Sequence, residues 1–422
     1  MSPDPLLRPT PLEMLRTVEG SCYFPEPEKS AESDDEPLEL IVREICMHIN
    51  EAASYGRRDR LFPSNPKMFV TNPLSLAYGA SGVAYTLQRV IGRVPQAALD
   101  WILSHNVTLA DYTPGLYIGL SGIALALLEM GVQRQAETIF QMSADHSLLH
   151  ASPDVFYGIA GWGMANLRFF LQTEDELYLR NAVHAGNHLL QTSKDAPTGR
   201  YWQNLNEVHV GYAHGASGIG LFLLYLYLAT GDERFLWAGE QGLEFDLNQA
   251  CETKDGGLSW PDRAGGKSPL YPYWRTGSAG VGTALLRFYR LLGTDRYHSI
   301  LEKIYIDVDR KYAVLPGLFS GMAGMGEFLL DMHEFSGEHK YFDSARKAAK
   351  GIMHFRVERN GIAFPGESLD RLCCDMGTGS AGVALFLNRL LGRNSANFLL
   401  DGLFTSKMAQ ARSSHTASMA RS

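Results

Sequence analysis

Val210-Gly211-Tyr212-Ala213-His214-Gly215-Ala216-Ser217-Gly218 runs directly into Ile219-Gly220-Leu221-Phe222-Leu223-Leu224-Tyr225-Leu226-Tyr227-Leu228. A G-x-[AS]-G tetrad thus opens a run that is apolar nearly all round, the composition of a helix buried on every side. The same pairing occurs seven times, with first glycines at Gly79, Gly119, Gly158, Gly215, Gly277, Gly321 and Gly379, spaced by 40, 39, 57, 62, 44 and 58 residues. Periods near 40 mark repeat architectures. Ahead of the tetrads lie more amphipathic segments, such as Leu38–Ala53 with Leu40, Ile41, Ile45, Cys46 and Ile49 at helical spacing, Glu174–Leu190 and Asp232–Leu247. Gly231-Asp232-Glu233-Arg234 reads as a helix stop followed by a start, with Asp232 in the capping position. Each unit is therefore an outer helix, a loop, a glycine turn and an inner helix. The segments lack the strand alternation of a propeller, and a straight solenoid would leave one of these apolar layers open to water. The expected fold is an all-α (α/α)7 toroid, a double ring of seven outer and seven inner helices. The longer connections after units three, four and six are expected to form loops over one face.

The composition agrees with a large buried core: 422 residues, 45% hydrophobic and 20% charged. A net charge of -8 with no basic stripe argues against a nucleic-acid partner. No apolar run reaches the roughly 18 residues of a membrane span. Five cysteines (Cys22, Cys46, Cys251, Cys373 and Cys374) are too few for a disulfide framework and fit a reducing, cytoplasmic setting. Residues 1–36 are rich in Pro, Glu and Asp and are expected to be disordered. The helical domain is expected over 37–393. A polar tail is expected over 394–422, in which Phe398, Leu399, Leu400 and Leu403 pack locally.

If the tetrad is structural, departures beside it carry the information. The residue before the first glycine is Tyr78, Ile118, Tyr157, His214, Thr276, Ser320 and Thr378 in turn. Only unit four places a histidine there. His214 is either a catalytic group aimed into the ring mouth or a histidine satisfied within the core. Asp154, four residues before the glycine of unit three, is a second candidate, against the plainer role of capping the turn after Pro153. Arg275, two before the glycine of unit five, is either an anion holder or a carboxylate-paired guanidinium at the rim. Tyr157, Trp274 and Thr378 are the candidate substrate contacts. Seven inner-helix N-termini at one mouth would also favour an anionic ligand or transition state there.

The seven units resemble the lanthionine synthetase C-like (LanC-like) cyclases over about residues 38–392. Tyr212-Ala213-His214-Gly215-Ala216-Ser217-Gly218 resembles that family's His-Gly catalytic segment, and Asp154 matches its catalytic Asp. In zinc-containing members a Cys stands where Arg275 stands here, and a Cys-His pair stands where this chain has Gly377-Thr378. The resemblance therefore implies a site without metal or cofactor. A shifted site at Cys373, Cys374 and Asp375 would need a contorted backbone. Three further stretches look like the zinc-free cyclase domain of class III lanthipeptide synthetases, which are kinase–lyase–cyclase fusions. These are Leu61-Phe62-Pro63 with Thr71-Asn72-Pro73-Leu74-Ser75-Leu76-Ala77-Tyr78-Gly79, then Tyr273-Trp274-Arg275-Thr276-Gly277-Ser278-Ala279-Gly280, and Asp375-Met376-Gly377-Thr378-Gly379-Ser380-Ala381-Gly382. The chain has neither the Gly-rich loop with its lysine nor the His-Arg-Asp segment of a kinase. It is expected to be a standalone cyclase component or the C-terminal piece of a synthetase, working with a kinase/lyase partner.

The reaction so implied is addition of a peptide Cys thiol to dehydroalanine or dehydrobutyrine in a dehydrated precursor peptide, giving lanthionine or labionin rings. His214 would move the proton, Asp154 orient it, and Arg275 with the helix ends supply positive potential. The competing expectation is a non-catalytic module that holds the precursor or regulates a kinase–lyase partner. A carbohydrate-active α/α barrel would use paired carboxylates, and no facing Asp/Glu pair stands out among the unit loops.

Overall fold

The computed structural model describes residues 37–265, 269–392 and 399–404. The expected disordered segment 1–36 and most of the expected tail lie outside them. Among the described residues fourteen α-helices alternate in the expected order. The outer set is α1 (Leu38–Glu51), α3 (Gln96–Leu103), α5 (Gln133–Ala144), α7 (Glu176–Thr192), α9 (Glu233–Leu247), α11 (Asp295–Val308) and α13 (His339–Met353). The inner set is α2 (Ala80–Ile91), α4 (Leu120–Glu129), α6 (Ile159–Thr173), α8 (Ala216–Thr230), α10 (Ser278–Leu292), α12 (Met322–Ser336) and α14 (Ser380–Leu390). Each inner helix packs on the inner helix of the next unit, and α14 packs on α2, so the inner ring is closed. The pairing of layers differs from the unit read in the sequence. Each inner helix packs chiefly on the outer helix that follows it, and α1 is left to pack on α14. The first helix thereby clasps the last one.

The three long connections each fold into a short antiparallel hairpin. These are β1 (Lys194–Ala196) with β2 (Gly199–Tyr201), β3 (Cys251–Glu252) with β4 (Leu258–Ser259), and β5 (Val357–Glu358) with β6 (Ile362–Ala363). Asp175 and Asp232 cap α7 and α9, each carboxylate accepting the N–H two residues on, at 2.8 and 3.0 Å. No helix among the described residues is long and apolar enough to cross a membrane.

The inner ring is closed by backbone as well as by packing. The residue two before each tetrad donates its N–H to the carbonyl of the same position in the next unit. Ala77 donates to Tyr117 (2.8 Å), Tyr117 to Phe156 (3.2 Å), Phe156 to Ala213 (3.3 Å) and Ala213 to Arg275 (3.1 Å). Arg275 then donates to Phe319, Phe319 to Gly377, and Gly377 back to Ala77, each at 2.8 Å. All seven tetrads therefore sit on one face. The rings of Tyr117, Phe156 and Phe319 meet inside this loop, with centroids 4.3 to 5.4 Å apart, and close the axis beneath the mouth.

The opposite end of the ring is shut differently. Arg287 is buried and donates to Asp331 at 2.5 Å and to Asp401 at 2.6 Å, while Tyr225 also donates to Asp401 at 2.7 Å. Leu400, Leu403 and Phe404 are buried beside them. Leu400 and Leu403, expected to pack locally within the tail, thus join the buried body.

The tetrad glycines are dictated by clearance. A Cβ on Gly218 would lie 1.9 Å from the Tyr212 carbonyl oxygen, and one on Gly82 would lie 1.8 Å from that of Leu76. We expect Gly218→Ala to destabilise the fold by about 3 kcal/mol or more, through backbone that cannot yield. Gly56→Ala, with no atom within 4 Å of its new Cβ, should stay within about 0.5 kcal/mol. Urea unfolding of the two variants checks the difference; equal losses would mean the tetrad is not a packing requirement.

Candidate functional site at the ring mouth

Of the residues just before the tetrads, Tyr157, His214, Thr276 and Ser320 keep exposed surface at the rim, while Tyr78, Ile118 and Thr378 are buried. Asp154 and His214 meet at the rim. The imidazole Nδ1 donates to Asp154 Oδ2 at 2.8 Å. Asp154 is wholly buried, whereas the His214 side chain keeps 20% of its surface. With Nδ1–H committed to the carboxylate, Nε2 is the nitrogen left for chemistry. The other oxygen, Asp154 Oδ1, accepts the Tyr157 N–H at 2.6 Å and the Gly158 N–H at 3.1 Å. Asp154 therefore caps its own turn and also holds the histidine. Tyr157 stacks on His214, centroids 5.2 Å apart, and is 44% exposed. The His209 ring lies 5.7 Å from that of His214. Burial, and then the neighbouring His214, hold the His209 imidazole below its ordinary pKa.

Arg275 sits at the floor position of unit five. Its Nη2 is 3.9 Å from Glu367 Oε1, and its Nε is buried without a hydrogen-bond partner. Lys67, from a 3-10 turn over Pro66–Val70, donates to Glu367 Oε2 at 2.7 Å. Burial would raise the Glu367 carboxyl, but Lys67 and Arg275 outweigh it and hold it below its ordinary value. Lys67 and Glu367 were not legible in the sequence, because neither lies beside a tetrad.

Two of the expected substrate contacts are placed elsewhere. Trp274 is 3% exposed and packs under the floor against Tyr212 (4.3 Å) and Phe319 (5.9 Å), so its ring is core. Thr378 is 5% exposed, and its hydroxyl donates to Asp375 at 3.0 Å. The helix ends also differ from expectation. The first inner-helix N–H bonds a carbonyl of its own loop in six units, for example Ala80 to Pro73 (2.8 Å) and Met322 to Leu315 (2.9 Å). Donors already engaged in this way form no open anion cradle. Positive character at the mouth rests on side chains.

The site does not fit zinc. Where the resemblance implies thiolate and imidazole ligands, this chain presents a guanidinium, no side chain, and a hydroxyl already spent on Asp375. Cys373 and Cys374 do not replace them. Both are buried, and they adjoin in the chain, so that binding one ion with both would contort the backbone between them. Among the described residues no three His, Cys, Asp or Glu side chains are gathered to hold a metal.

Comparison with known proteins agrees with this architecture. The family model described as lanthionine synthetase C-like protein matches residues 98–404. A probable SapB synthase from Streptomyces coelicolor is 27% identical over 353 residues, covering 82% of this chain but 37% of that protein. The chain thus spans well under half the length of that relative. Among solved structures, nisin cyclase superposes with a TM-score of 0.59 at 16% identity, over 87% of this chain and 97% of its own. The GH76A α-1,6-mannanase from Salegentibacter superposes at 0.53 with 13% identity, over 84% and 99%. The ring is thus shared with a glycosidase, and the fold alone does not select a chemistry.

The loop that carries His214 has its own anchor, which sequence inspection also missed. In place of a loop carbonyl, unit four uses the Asp246 carboxylate of α9. Its Oδ2 accepts the Gly211 N–H (2.9 Å), the Ser217 N–H (2.7 Å) and the Ser217 hydroxyl (2.7 Å), while Oδ1 is buried without a partner. Burial raises this carboxyl to about 7 despite those bonds. A raised carboxyl pKa means that the stabilisation is complete below the unfolded value near 4 and is lost as pH climbs through about 7. Asp246→Asn mimics the protonated form and lacks this loss. Relative to wild type it should therefore gain about 1.4 kcal/mol for each pH unit between about 4 and 7. Urea midpoints across that range test this; a constant difference would refute it.

Proposed function

We propose, from the premise that this chain belongs to the lanthionine synthetase C-like family, that its ring mouth closes thioether rings in a dehydrated precursor peptide without zinc. The observation that carries the reading is the buried Asp154 carboxylate holding His214 at the one unit whose rim residue is a histidine, with Arg275 on the same mouth. The likeness of three stretches to class III synthetase cyclase domains supports the same reading. It also favours a cytoplasmic setting and a kinase/lyase that supplies the dehydrated peptide.

The chemistry asks for two things. A cysteine thiol with a pKa near 8.5 must ionise, and the enolate formed by attack on the dehydroamino acid must be protonated. His214 Nε2 takes the thiol proton while Nδ1–H stays on Asp154. The sulfur lone pair forms the C–S bond at Cβ, and the π electrons move toward Cα and the carbonyl. The imidazolium, stabilised by the buried carboxylate, returns a proton to Cα. Bonds and charge balance, and no redox partner is needed. Arg275 offers charge to the sulfur or the enolate oxygen. If Cα instead attacks a second dehydroalanine before it is protonated, the product is the labionin ring.

His214→Ala should slow ring closure by about 10²- to 10⁴-fold, the usual weight of general acid–base catalysis, while circular dichroism stays unchanged. Thioether formation on a dehydrated precursor, read by thiol alkylation and mass spectrometry, checks this. Unchanged rate and regiochemistry would leave only a peptide-holding module. Metal provides a second test. Protein purified without chelator should carry well under one zinc per chain, and a chelator should leave ring closure unaltered. About one zinc per chain, lost on mutating Cys373 and Cys374, would overturn the zinc-free mechanism.

A further inference from the structure

Lys67, Glu367 and Arg275 come from three separate parts of the ring: the loop before α2, the loop after β6, and the floor position of unit five. Their meeting places two cations on one carboxylate at 2.7 and 3.9 Å. The bonding is uneven. Lys67 is close, Arg275 is at the limit of an ion pair, and Arg275 Nε has no acceptor. A buried guanidinium N–H left open is a donor waiting for an anion. Gly366, next to Glu367, lies so close to Cys373 and Thr378 that a Cβ there would sit 2.6 Å from the Cys373 sulfur and 3.4 Å from the Thr378 hydroxyl. The Glu367 arm thus lies over the rim of unit seven, where the resemblance implies the missing metal ligands. The remaining groups facing the cluster are Tyr78, under Lys67 at 5.9 Å, and Tyr157, whose phenol feels Arg275; the Ser320 hydroxyl bonds Glu367. Asp375 is buried close to Tyr78, and Tyr157 also stacks on His214, which Asp154 holds.

We propose that Lys67, Glu367 and Arg275 form a charge clamp that receives the attacking cysteine of the peptide as its thiolate, with Glu367 giving up its two cations as the sulfur anion arrives. The proposal rests on the cyclase reading above. It assigns the sulfur charge to Lys67 and Arg275, and leaves to His214 the proton, taken from the thiol and returned to Cα. The S–H bond breaks and its proton leaves through His214. The sulfur charge replaces the Glu367 charge on Lys67 and Arg275, and the sulfur lone pair then forms the C–S bond. The resting clamp carries one net positive charge, so the mouth is not held as an uncompensated cation pair before substrate binds.

The test reads the thiol directly and needs no turnover. An undehydrated cysteine peptide of the precursor is titrated while bound, its thiolate absorbance taken as the difference from protein alone. In the wild type the bound thiol should ionise about one pH unit below the free peptide, as for a group near an opposite charge. Glu367→Gln should lower that midpoint further, Lys67→Met should return it toward the free value, and Lys67→Arg should restore it. A midpoint that is the same in all four proteins overturns the clamp, even if ring closure still depends on His214. If ring closure does not depend on His214, the cyclase reading itself has failed.

Discussion

Seven backbone N–H groups, one per unit and all at the same repeat position, donate to the same position of the next unit until the last returns to the first. This circle of amides fixes everything around it. A buried peptide group left unpaired costs on the order of 1–3 kcal/mol, so no unit can slip register without opening the circle. Side chains at the circle itself point to the axis, which is why Tyr117, Phe156 and Phe319 become a floor. One residue later, Tyr157, His214, Thr276 and Ser320 keep exposed surface at the rim. The inner helix must then start so close to its own loop that the last tetrad glycine touches a carbonyl three residues before the first, as Gly218 does at Tyr212. The glycines answer a steric demand made by the circle, and they carry no chemistry of their own.

That division of labour leaves the two ends of the ring with different physics. At the tetrad end, main-chain donors are consumed by loop carbonyls, and the floor is apolar. Charge there comes from Asp154, His214, Lys67, Arg275 and Glu367, and each keeps some freedom or some exposure except the wholly buried Asp154. At the far end, Arg287 and Arg389 are buried in a mesh of carboxylates, and Asp401 is drawn in from the C-terminal segment. Arginines with this many fixed partners are committed to holding helices together, since removing one partner of a buried pair strands the other.

The repeat and its consequences were legible because the constraint recurs. Helix alternation, the glycine turns and the number of units follow from a pattern printed seven times in the chain. His214 was legible as the exception to that pattern, and Asp154 through its likeness to the family's catalytic Asp. Trp274 misled for the same reason. It adjoins Arg275 in the chain, but adjacent positions in a tetrad approach face different ways, so the Arg sits at the mouth and the Trp lies beneath it. Lys67 and Glu367 have no repeat position at all, and Asp246 is matched by Asp307, which accepts from the Ser278 hydroxyl of unit five. Lys67, Glu367 and Asp246 arrive from connecting loops and an outer helix, and only the closed ring brings them to the mouth. Local packing of Leu399, Leu400 and Leu403 was expected, but not the contact of Asp401 with Arg287, more than a hundred positions away in the chain.

The floor position of unit five is where sequence, packing and chemistry converge. Its backbone belongs to the circle, donating to Phe319 and accepting from Ala213, so any side chain placed there is aimed at the mouth whatever its type. The sign of its charge then decides which partner the site can gather. A thiolate there would collect a divalent cation, and the resemblance implies that in relatives it does. A guanidinium cannot lose its proton near neutral pH and repels such a cation. It must instead be balanced by an anion, and in this chain Glu367 is the carboxylate beside it. On the proposed reading, a guanidinium here, with Gly377 and Thr378 at the other two implied ligand positions, makes the site one that gathers an anion without moving a helix. Lys67 and Glu367 are the further charges that such a site calls for, a second cation to strengthen the field and a carboxylate to hold both cations until an anionic substrate displaces it.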